Sequence, residues 1–179
     1  MIITLVRHAE TEENFNRILQ GRNNTFLNDR GKRQLLNLKM KLINDKYDIC
    51  FSSPLCRCME TALISVGDRV KIVPDDRLVE RDLGEFDGRP VEEYNAFKYW
   101  DYDLNKCDYG VESLHSIFER CEDFYNYLLC NYYDKNIIIV THNAIYRALR
   151  HLILNHELKH NLLDGKIDNC QFERFIIKK

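Results

Sequence analysis

The chain of 179 residues carries 26 Lys or Arg and 28 Asp or Glu, for a formal charge of −2. That length accommodates one domain with a substantial core, and we expect residues 1–179 to form one domain. The balanced charge argues against a nucleic-acid partner, which needs a clear basic excess. No apolar run is long enough to span a membrane. The seven cysteines follow no secretory signal, which predicts reduced thiols and a cytoplasmic location.

Apolar runs and helical periodicity alternate along the chain. Strands are predicted, in chain order, at 2–6, 47–51, 70–73, 137–140 and 172–177. Helices are predicted at 31–44, 55–64, 112–131 and 143–154. Ser53 is expected to cap the second helix, with Pro54 in its first turn. The alternation predicts an α/β fold, a three-layer α/β/α sandwich with a mostly parallel central sheet.

One aromatic and acidic segment, residues 87–111, differs from its surroundings. It includes the aromatic residues Tyr94, Phe97, Tyr99, Trp100, Tyr102 and Tyr109. Aromatic side chains usually pack in a core, which favours an amphipathic helix and loop lying over the sheet. Binding residues favour loops, which favours a lid that shapes substrate access. Both interpretations stay open.

Polar side chains follow the predicted strands, where open α/β sheets bind ligands. Arg7 and His8 leave the first strand, Arg57 lies in the helix after the second, and His142 follows the fourth. The two arginines can donate to phosphoryl oxygens, and His142 with a helix N-terminus can complete the anion site. Adjacent positive charge lowers the pKa of His8, which keeps a ring nitrogen free to attack phosphorus.

A leaving alcohol needs a proton, and a glycine-punctuated loop at 78–88 supplies candidate acids. Glu80 is the preferred donor, and Asp82 or Glu85 is the alternative. Phosphoryl transfer depends mainly on positioning and charge stabilisation, which this set of residues can provide.

Motifs in the same order resemble those of the histidine phosphatase superfamily, the phosphoglycerate-mutase-like proteins. Arg7-His8-Ala9 approximates the Arg-His-Gly signature, and residues 52–62 match its Ser-Ser-x-Leu-x-Arg-x-x-x-Thr-Ala block. The loop at 78–88 resembles the family's acid-bearing loop. Further matching positions are Thr11, Asn14, Gln20-Gly21, 27–31, Thr141-His142, Arg147-Ala148-Leu149 and Asp168-Asn169-Cys170.

The resemblance implies a phosphoglycerate-mutase-like fold and a metal-independent phosphomonoesterase acting on a small phosphorylated metabolite. It implies that His8 is the phosphorylated nucleophile and that Glu80 is the proton donor. No metal or cofactor is implied. By the same resemblance, the residues that bind the substrate phosphate are Arg7, Asn14, Gln20, Gly21, Arg57 and His142.

Two substitutions depart from the family pattern. Ala9 stands where glycine is usual, and Asn143-Ala144 replaces a common Gly-Gly pair. Neither removes a catalytic group, and both are expected to narrow the pocket.

Three other functions are weighed against hydrolysis. A phosphoglycerate mutase would use the same His8 but return the phosphoryl group to its substrate. An inactive phosphate-binding regulatory domain would keep the pocket without turnover. The third function is that of a zinc peptidase, because residues 156–160 formally match the His-Glu-x-x-His pattern of those enzymes. No later histidine supplies a third zinc ligand, so we expect a chance match.

Overall fold

One five-stranded sheet forms the centre of the computed structural model, which describes residues 1–178. Its strands are β1 (Ile2–Arg7), β2 (Ile49–Ser52), β3 (Ile72–Pro74), β4 (Asn136–Thr141) and β5 (Phe172–Ile176). They lie in the order β3-β2-β4-β1-β5. All neighbours pair in parallel except β5, which runs antiparallel to β1 at one edge. The predicted α/β fold with a mostly parallel sheet is confirmed.

Helices cover both faces of this sheet. They are α1 (Glu12–Phe15), α2 (Asp29–Leu42), α3 (Cys56–Val66), α4 (Ala96–Tyr99), α5 (Leu114–Asn131) and α6 (Asn143–Ile153). Alternate residues of β4 enter two separate cores, because successive strand side chains point to opposite faces. Ile137 and Ile139 pack with α5 and α6, whereas Ile138 and Val140 pack with α2 and α3. No helix within residues 1–178 is long and apolar enough to cross a membrane.

The start of α3 differs from the prediction. The helix begins at Cys56, and the N-cap residue Leu55 makes no side-chain capping bond. The predicted capping role of Ser53 is therefore wrong. Its hydroxyl is fully buried, lies 2.8 Å from His142 Nε2 and accepts from the Leu55 amide at 3.4 Å, which is one residue before the helix begins.

The aromatic segment at 87–111 forms a wall beside the strand ends. Its only α-helix among the described residues is the single turn α4. The Tyr94 and Tyr99 rings stack with centroids 4.7 Å apart, and Trp100 is 6% exposed. Phe97 remains exposed. Part of the segment thus packs, and part lines the cavity described next, while movement as a lid remains a prediction.

Candidate active site

A cavity of about 510 Å³ opens at the carboxyl ends of β1 and β4. Three of the predicted site residues line it, namely Arg7, Asn14 and Glu80. His8, Arg57 and His142 do not line it. They are buried beside it, with exposures of 3%, 1% and 0%. The parallel topology explains this arrangement, because the carboxyl ends of neighbouring parallel strands meet at one edge of the sheet.

His8 is held in one tautomer by the backbone that follows it. Its Nδ1 lies 2.7 Å from the carbonyl oxygen of Ala9. A carbonyl only accepts hydrogen bonds, so Nδ1 carries the proton and Nε2 keeps its lone pair when the ring is neutral. Burial, followed by the charges of Arg57 and Arg7, holds the pKa of His8 well below its ordinary value. The ring is therefore neutral, and Nε2 is the nitrogen that keeps a free lone pair.

The second histidine lies against the first. The ring centroids of His8 and His142 are 5.2 Å apart with the planes inclined at 61°. His142 Nε2 lies 2.8 Å from Ser53 Oγ and 3.4 Å from Cys58 Sγ. Burial and the charge of Arg57 hold the pKa of His142 well below its ordinary value as well. A neutral His142 keeps one N–H, which can donate to an anion without adding another buried charge.

Arg57 holds the loop at 20–25 in addition to facing the histidines. Its Nη2 donates to the Gly21 carbonyl at 2.9 Å, and its Nη1 donates to the Asn23 carbonyl at 2.7 Å. Its Nε is buried without a hydrogen-bond partner in the described chain. The loop is also tied internally, because Thr25 Oγ1 donates to Gln20 Oε1 at 2.7 Å. Gln20 and Gly21 thus support Arg57 and do not line the cavity.

Glu80 lies between the cavity and the start of α6. Its Oε1 accepts from the amides of Arg81 at 2.9 Å and Ala144 at 3.2 Å. Burial raises the pKa of this carboxyl, although the Arg81 amide and the charges of Arg57 and Arg7 oppose the rise. A carboxyl that keeps its proton above the ordinary range is suited to act as a general acid.

The two alternative acids lie outside the cavity wall. Asp82 Oδ1 accepts from the Gly84 amide at 2.9 Å, which ties its carboxylate to its own turn. Glu85 is exposed. The geometry therefore favours Glu80 among the three.

Asn14 is connected to His8 through Asn169, a residue far along the chain. Asn169 Nδ2 donates both to Asn14 Oδ1 at 3.0 Å and to the carbonyl of His8 at 3.1 Å. Arg7 is fixed nearby, because its Nη1 donates to the Ile167 carbonyl at 2.8 Å. Two separate segments of the sequence are thereby joined around His8.

The two departures from the family pattern have different consequences. Ala9 is fully buried, belongs to the core between α2 and α3, and does not line the cavity. Its φ is not in the left-handed region, so a glycine is not required there. The expectation that Ala9 narrows the pocket is therefore wrong. Asn143 and Ala144 do line the cavity.

Three contributors were missed by sequence reasoning. Ser53 was assigned to a helix cap, and Trp100 was only one of several aromatic residues. Arg147 was noted only within a motif, yet it is buried and lines the cavity beside Trp100. Its position four residues after Asn143, on the same helical face, is the one signal that could have placed it there.

The zinc-like pattern at 156–160 does not form a helix. His160 has a φ of +54° and its Nδ1 lies 2.8 Å from Asp103, whereas the His156 ring packs on His151. The helical spacing on which the zinc pattern depends is absent from these residues.

Comparison with known proteins decides the family. A family model described as the histidine phosphatase superfamily, branch 1, matches residues 3–179. The chain belongs to this superfamily.

Several relatives of this histidine phosphatase are named as phosphatases. Phosphoserine phosphatase 1 of Hydrogenobacter thermophilus is 32% identical over 163 residues, covering 87% of this chain and 77% of the relative. The uncharacterised phosphatase PhoE of Bacillus subtilis is 32% identical over 148 residues, covering 82% and 74% of the two chains. The predicted class is confirmed, and the chain is a phosphoric monoester hydrolase.

A solved structure shows the same fold. YhfR of Bacillus stearothermophilus superposes with a TM-score of 0.87 at 22% identity, covering 99% of this chain and 91% of that one. The phosphoglycerate-mutase-like architecture expected from the sequence is confirmed.

Proposed function

We propose that this histidine phosphatase hydrolyses a small phosphorylated metabolite through a phosphohistidine formed on His8. The observation that carries the proposal is the 2.7 Å contact between His8 Nδ1 and the Ala9 carbonyl, which leaves Nε2 as the free ring nitrogen. The cavity of about 510 Å³ has the size of a small-molecule site. One relative is named phosphoserine phosphatase 1, which makes phosphoserine one candidate substrate.

In the first step, Nε2 of His8 forms a bond to phosphorus while the bond from phosphorus to the ester oxygen breaks. Protonated Glu80 gives its proton to the departing oxygen, so the alcohol leaves neutral. Arg7, Arg57 and the N–H of His142 stabilise the charge on the phosphoryl oxygens. Asn14, tied to the His8 carbonyl through Asn169, adds a side-chain amide at the same edge of the cavity.

In the second step, the Glu80 carboxylate takes a proton from water as the water oxygen attacks phosphorus. The bond between nitrogen and phosphorus breaks, inorganic phosphate leaves, and Glu80 is protonated again. Each residue thus returns to its starting state, and no redox partner is needed. Gln20 and Gly21 act in this scheme by keeping Arg57 in place.

The test compares His8→Ala with His156→Ala, which removes an exposed histidine of the zinc-like pattern. His8→Ala is expected to lower kcat for p-nitrophenyl phosphate at least about 1000-fold, because the nucleophile is lost. His156→Ala is expected to keep its rate in the presence of a chelator. Acid quenching with phosphorus-labelled substrate should trap an acid-labile label in the wild type and not in His8→Ala.

Two outcomes would contradict the proposal. Full activity of His8→Ala would exclude the phosphohistidine route. Rapid transfer of the label between phosphoglycerates with negligible release of phosphate would identify a mutase that uses the same histidine.

A further inference from the structure

An exposed apolar stripe runs along α2, on the side of the helix that faces away from the core. Leu36, Met40 and Ile43 are 61%, 68% and 45% exposed, whereas Leu35 and Leu38 are buried in the core beneath the helix. The spacing of four and then three residues places the exposed side chains in one row, because 3.6 residues complete a helical turn. Exposed apolar side chains that adjoin one another within a polar rim mark interaction surfaces.

Unpaired cations border this stripe on both sides. Helical spacing places Lys32 and Lys39 on one side of the row and Arg33 on the other. All three residues are exposed, and none of them has an ion pair within residues 1–178. By contrast, Arg17 in another exposed segment pairs with Glu92 at 2.7 Å. The cations of α2 thus remain available to an anionic partner.

Positive charge is concentrated on this helix. α2 carries five Lys or Arg and one acidic residue, Asp29, whereas the whole chain has a formal charge of −2. Asp29 precedes Leu36 by about two helical turns, so it lies at one end of the stripe. Asp45, just beyond the helix, is already paired with Arg174. Charge complementarity therefore calls for an anionic partner at this face.

The shape of the face favours a lipid surface over a protein. The stripe is a ridge on a convex helix, whereas a protein that recognises an amphipathic helix offers a hydrophobic groove of its own. Lysine and arginine stems can bury their carbon atoms beside the stripe while their charges reach lipid headgroups. A row of three apolar side chains is suited to shallow, reversible association with a membrane.

The candidate active site remains accessible in such an arrangement. Among residues 1–178 the cavity is lined by Asn143, Ala144 and Arg147 of α6 and by no residue of α2. α2 and α6 also belong to cores on opposite faces of the sheet. Contact through α2 therefore leaves the cavity open to a small substrate.

We propose that α2 docks the protein onto the surface of an anionic lipid bilayer. The apolar side chains enter the boundary between headgroups and acyl chains, and the cations contact the anionic headgroups. The inference goes beyond the proposed function, because no residue of the candidate active site takes part in it. The docking surface consists of Lys32, Arg33, Leu36, Lys39, Met40 and Ile43.

Flotation of the wild-type protein with lipid vesicles is the first test. Vesicles of phosphatidylcholine with about 30% phosphatidylserine are compared with vesicles of phosphatidylcholine alone. The apparent affinity for the anionic vesicles is expected to be at least about tenfold higher, and raising NaCl from about 0.1 M to about 0.5 M should weaken it by screening. Equal affinity for the two kinds of vesicle, or no binding to the anionic kind, would overturn the proposal.

A pair of charge reversals tests the cations. Lys32→Glu combined with Lys39→Glu is expected to weaken binding to the anionic vesicles at least about 30-fold, because two attractions become repulsions. Lys98→Glu combined with Lys178→Glu is the matched control, since both lysines are exposed and lie outside α2. The control should bind at least about tenfold more tightly than the α2 pair. Equal losses in the two pairs would show that net charge alone decides binding, which would refute docking through α2.

A pair of polar substitutions tests the apolar stripe. Leu36→Ser combined with Met40→Ser is expected to weaken binding at least about tenfold, because less apolar surface enters the bilayer. Phe97→Ser combined with Leu104→Ser removes two exposed apolar side chains elsewhere and should leave binding unchanged. Unchanged binding in the α2 pair would overturn the proposal, since charge alone would then hold the protein on the vesicles.

Two further measurements keep these outcomes unambiguous. Urea unfolding establishes that each variant is folded, and if an α2 pair is not, the comparison of the two kinds of vesicle with the wild type decides. Sedimentation establishes the oligomeric state of the wild type and of both α2 pairs. A wild-type dimer that dissociates in both α2 pairs would assign this face to a second copy of the chain and would contradict membrane docking.

Discussion

Glu80 combines two requirements that compete with each other. Burial favours its neutral form, whereas the water-activating step that we propose needs its carboxylate. Because the pKa of Glu80 is raised in the folded state, ionising it costs more there than in the unfolded chain. The contribution of Glu80 to stability therefore falls as pH rises from its ordinary pKa to its raised one. Above the raised pKa, the full free-energy cost of ionising the buried carboxyl is subtracted from the stability of the folded protein.

Glu80→Gln is expected to separate these two effects. Stability at neutral pH should rise by about 1 kcal/mol, because glutamine avoids the cost that burial adds to a carboxyl that ionises freely in the unfolded chain. The kcat/KM for an alkyl phosphate, which reports the transfer to His8 and not the later hydrolysis, should fall by about 100- to 1000-fold, and much less for p-nitrophenyl phosphate, whose leaving group needs no proton. Denaturant unfolding and rate measurements on both esters check this.

Glu85→Gln is the control, because Glu85 is an exposed acid in the same loop. Glu85→Gln is expected to change neither the free energy of unfolding nor the hydrolysis of the two esters. An equal loss of kcat/KM on both esters in Glu80→Gln would argue against general-acid catalysis by this residue.

Ser53 gives a second prediction at the scale of the residue. Its hydroxyl is the side-chain oxygen that contacts His142 Nε2. Ser53→Ala is expected to lower kcat about tenfold, since one lost hydrogen bond is worth about 1 kcal/mol and the ring loses its orientation. Ser65→Ala removes an equally buried hydroxyl that donates to Thr61 within α3, and its rate should stay at the wild-type level. Equal kcat values for Ser53→Ala and Ser65→Ala would show that the contact between Ser53 and His142 does not contribute to the rate.

The loop at 20–25 acts as one element with Arg57. Gly21 has a φ of +42°, and a Cβ there would lie 2.0 Å from Asp87 Oδ1. Gly67 has a similar φ of +57°, but a Cβ there would meet no atom within 4 Å. The two glycines therefore differ in crowding and share the backbone requirement.

Gly21→Ala is expected to lower the free energy of unfolding by about 2 kcal/mol and to reduce kcat, because the carbonyl that accepts from Arg57 must shift. Gly67→Ala should cost about 2 kcal/mol as well, because a φ of +57° with a ψ of −151° is nearly exclusive to glycine, but it should leave kcat unchanged. Urea unfolding and p-nitrophenyl phosphate hydrolysis measure both. Similar losses of activity in the two variants would disprove the crowding argument.

At the scale of the whole molecule, the sheet was predictable because burial on both faces demands continuous apolar runs. Residues 137–140 satisfy this in β4, where alternate side chains enter opposite cores. The strand-end position of His8 and His142 followed from the same pattern. Predictions were weaker wherever the outcome depended on a contact between distant segments.

Such distant contacts explain what the sequence could not predict. Ser53 has the local pattern of a helix cap, and only the approach of β4 to β2 gives its hydroxyl to His142. Arg147 and Trp100 come together because α6 packs near the aromatic segment. Asn169 meets His8 and Asn14 through the antiparallel pairing of β1 with β5. Local propensity carries no information about any of these pairs.

The position of β1 has a consequence for synthesis of the chain. β1 is translated before the other four strands of the sheet, yet its two neighbours are β4 and β5, which come after β2 and β3. Both edges of β1 stay unpaired until residues 136–176 have been made, which makes early pairing with other chains a hazard. His8 is thus translated more than a hundred residues before Asn169, and the candidate site around it is complete only when that segment arrives.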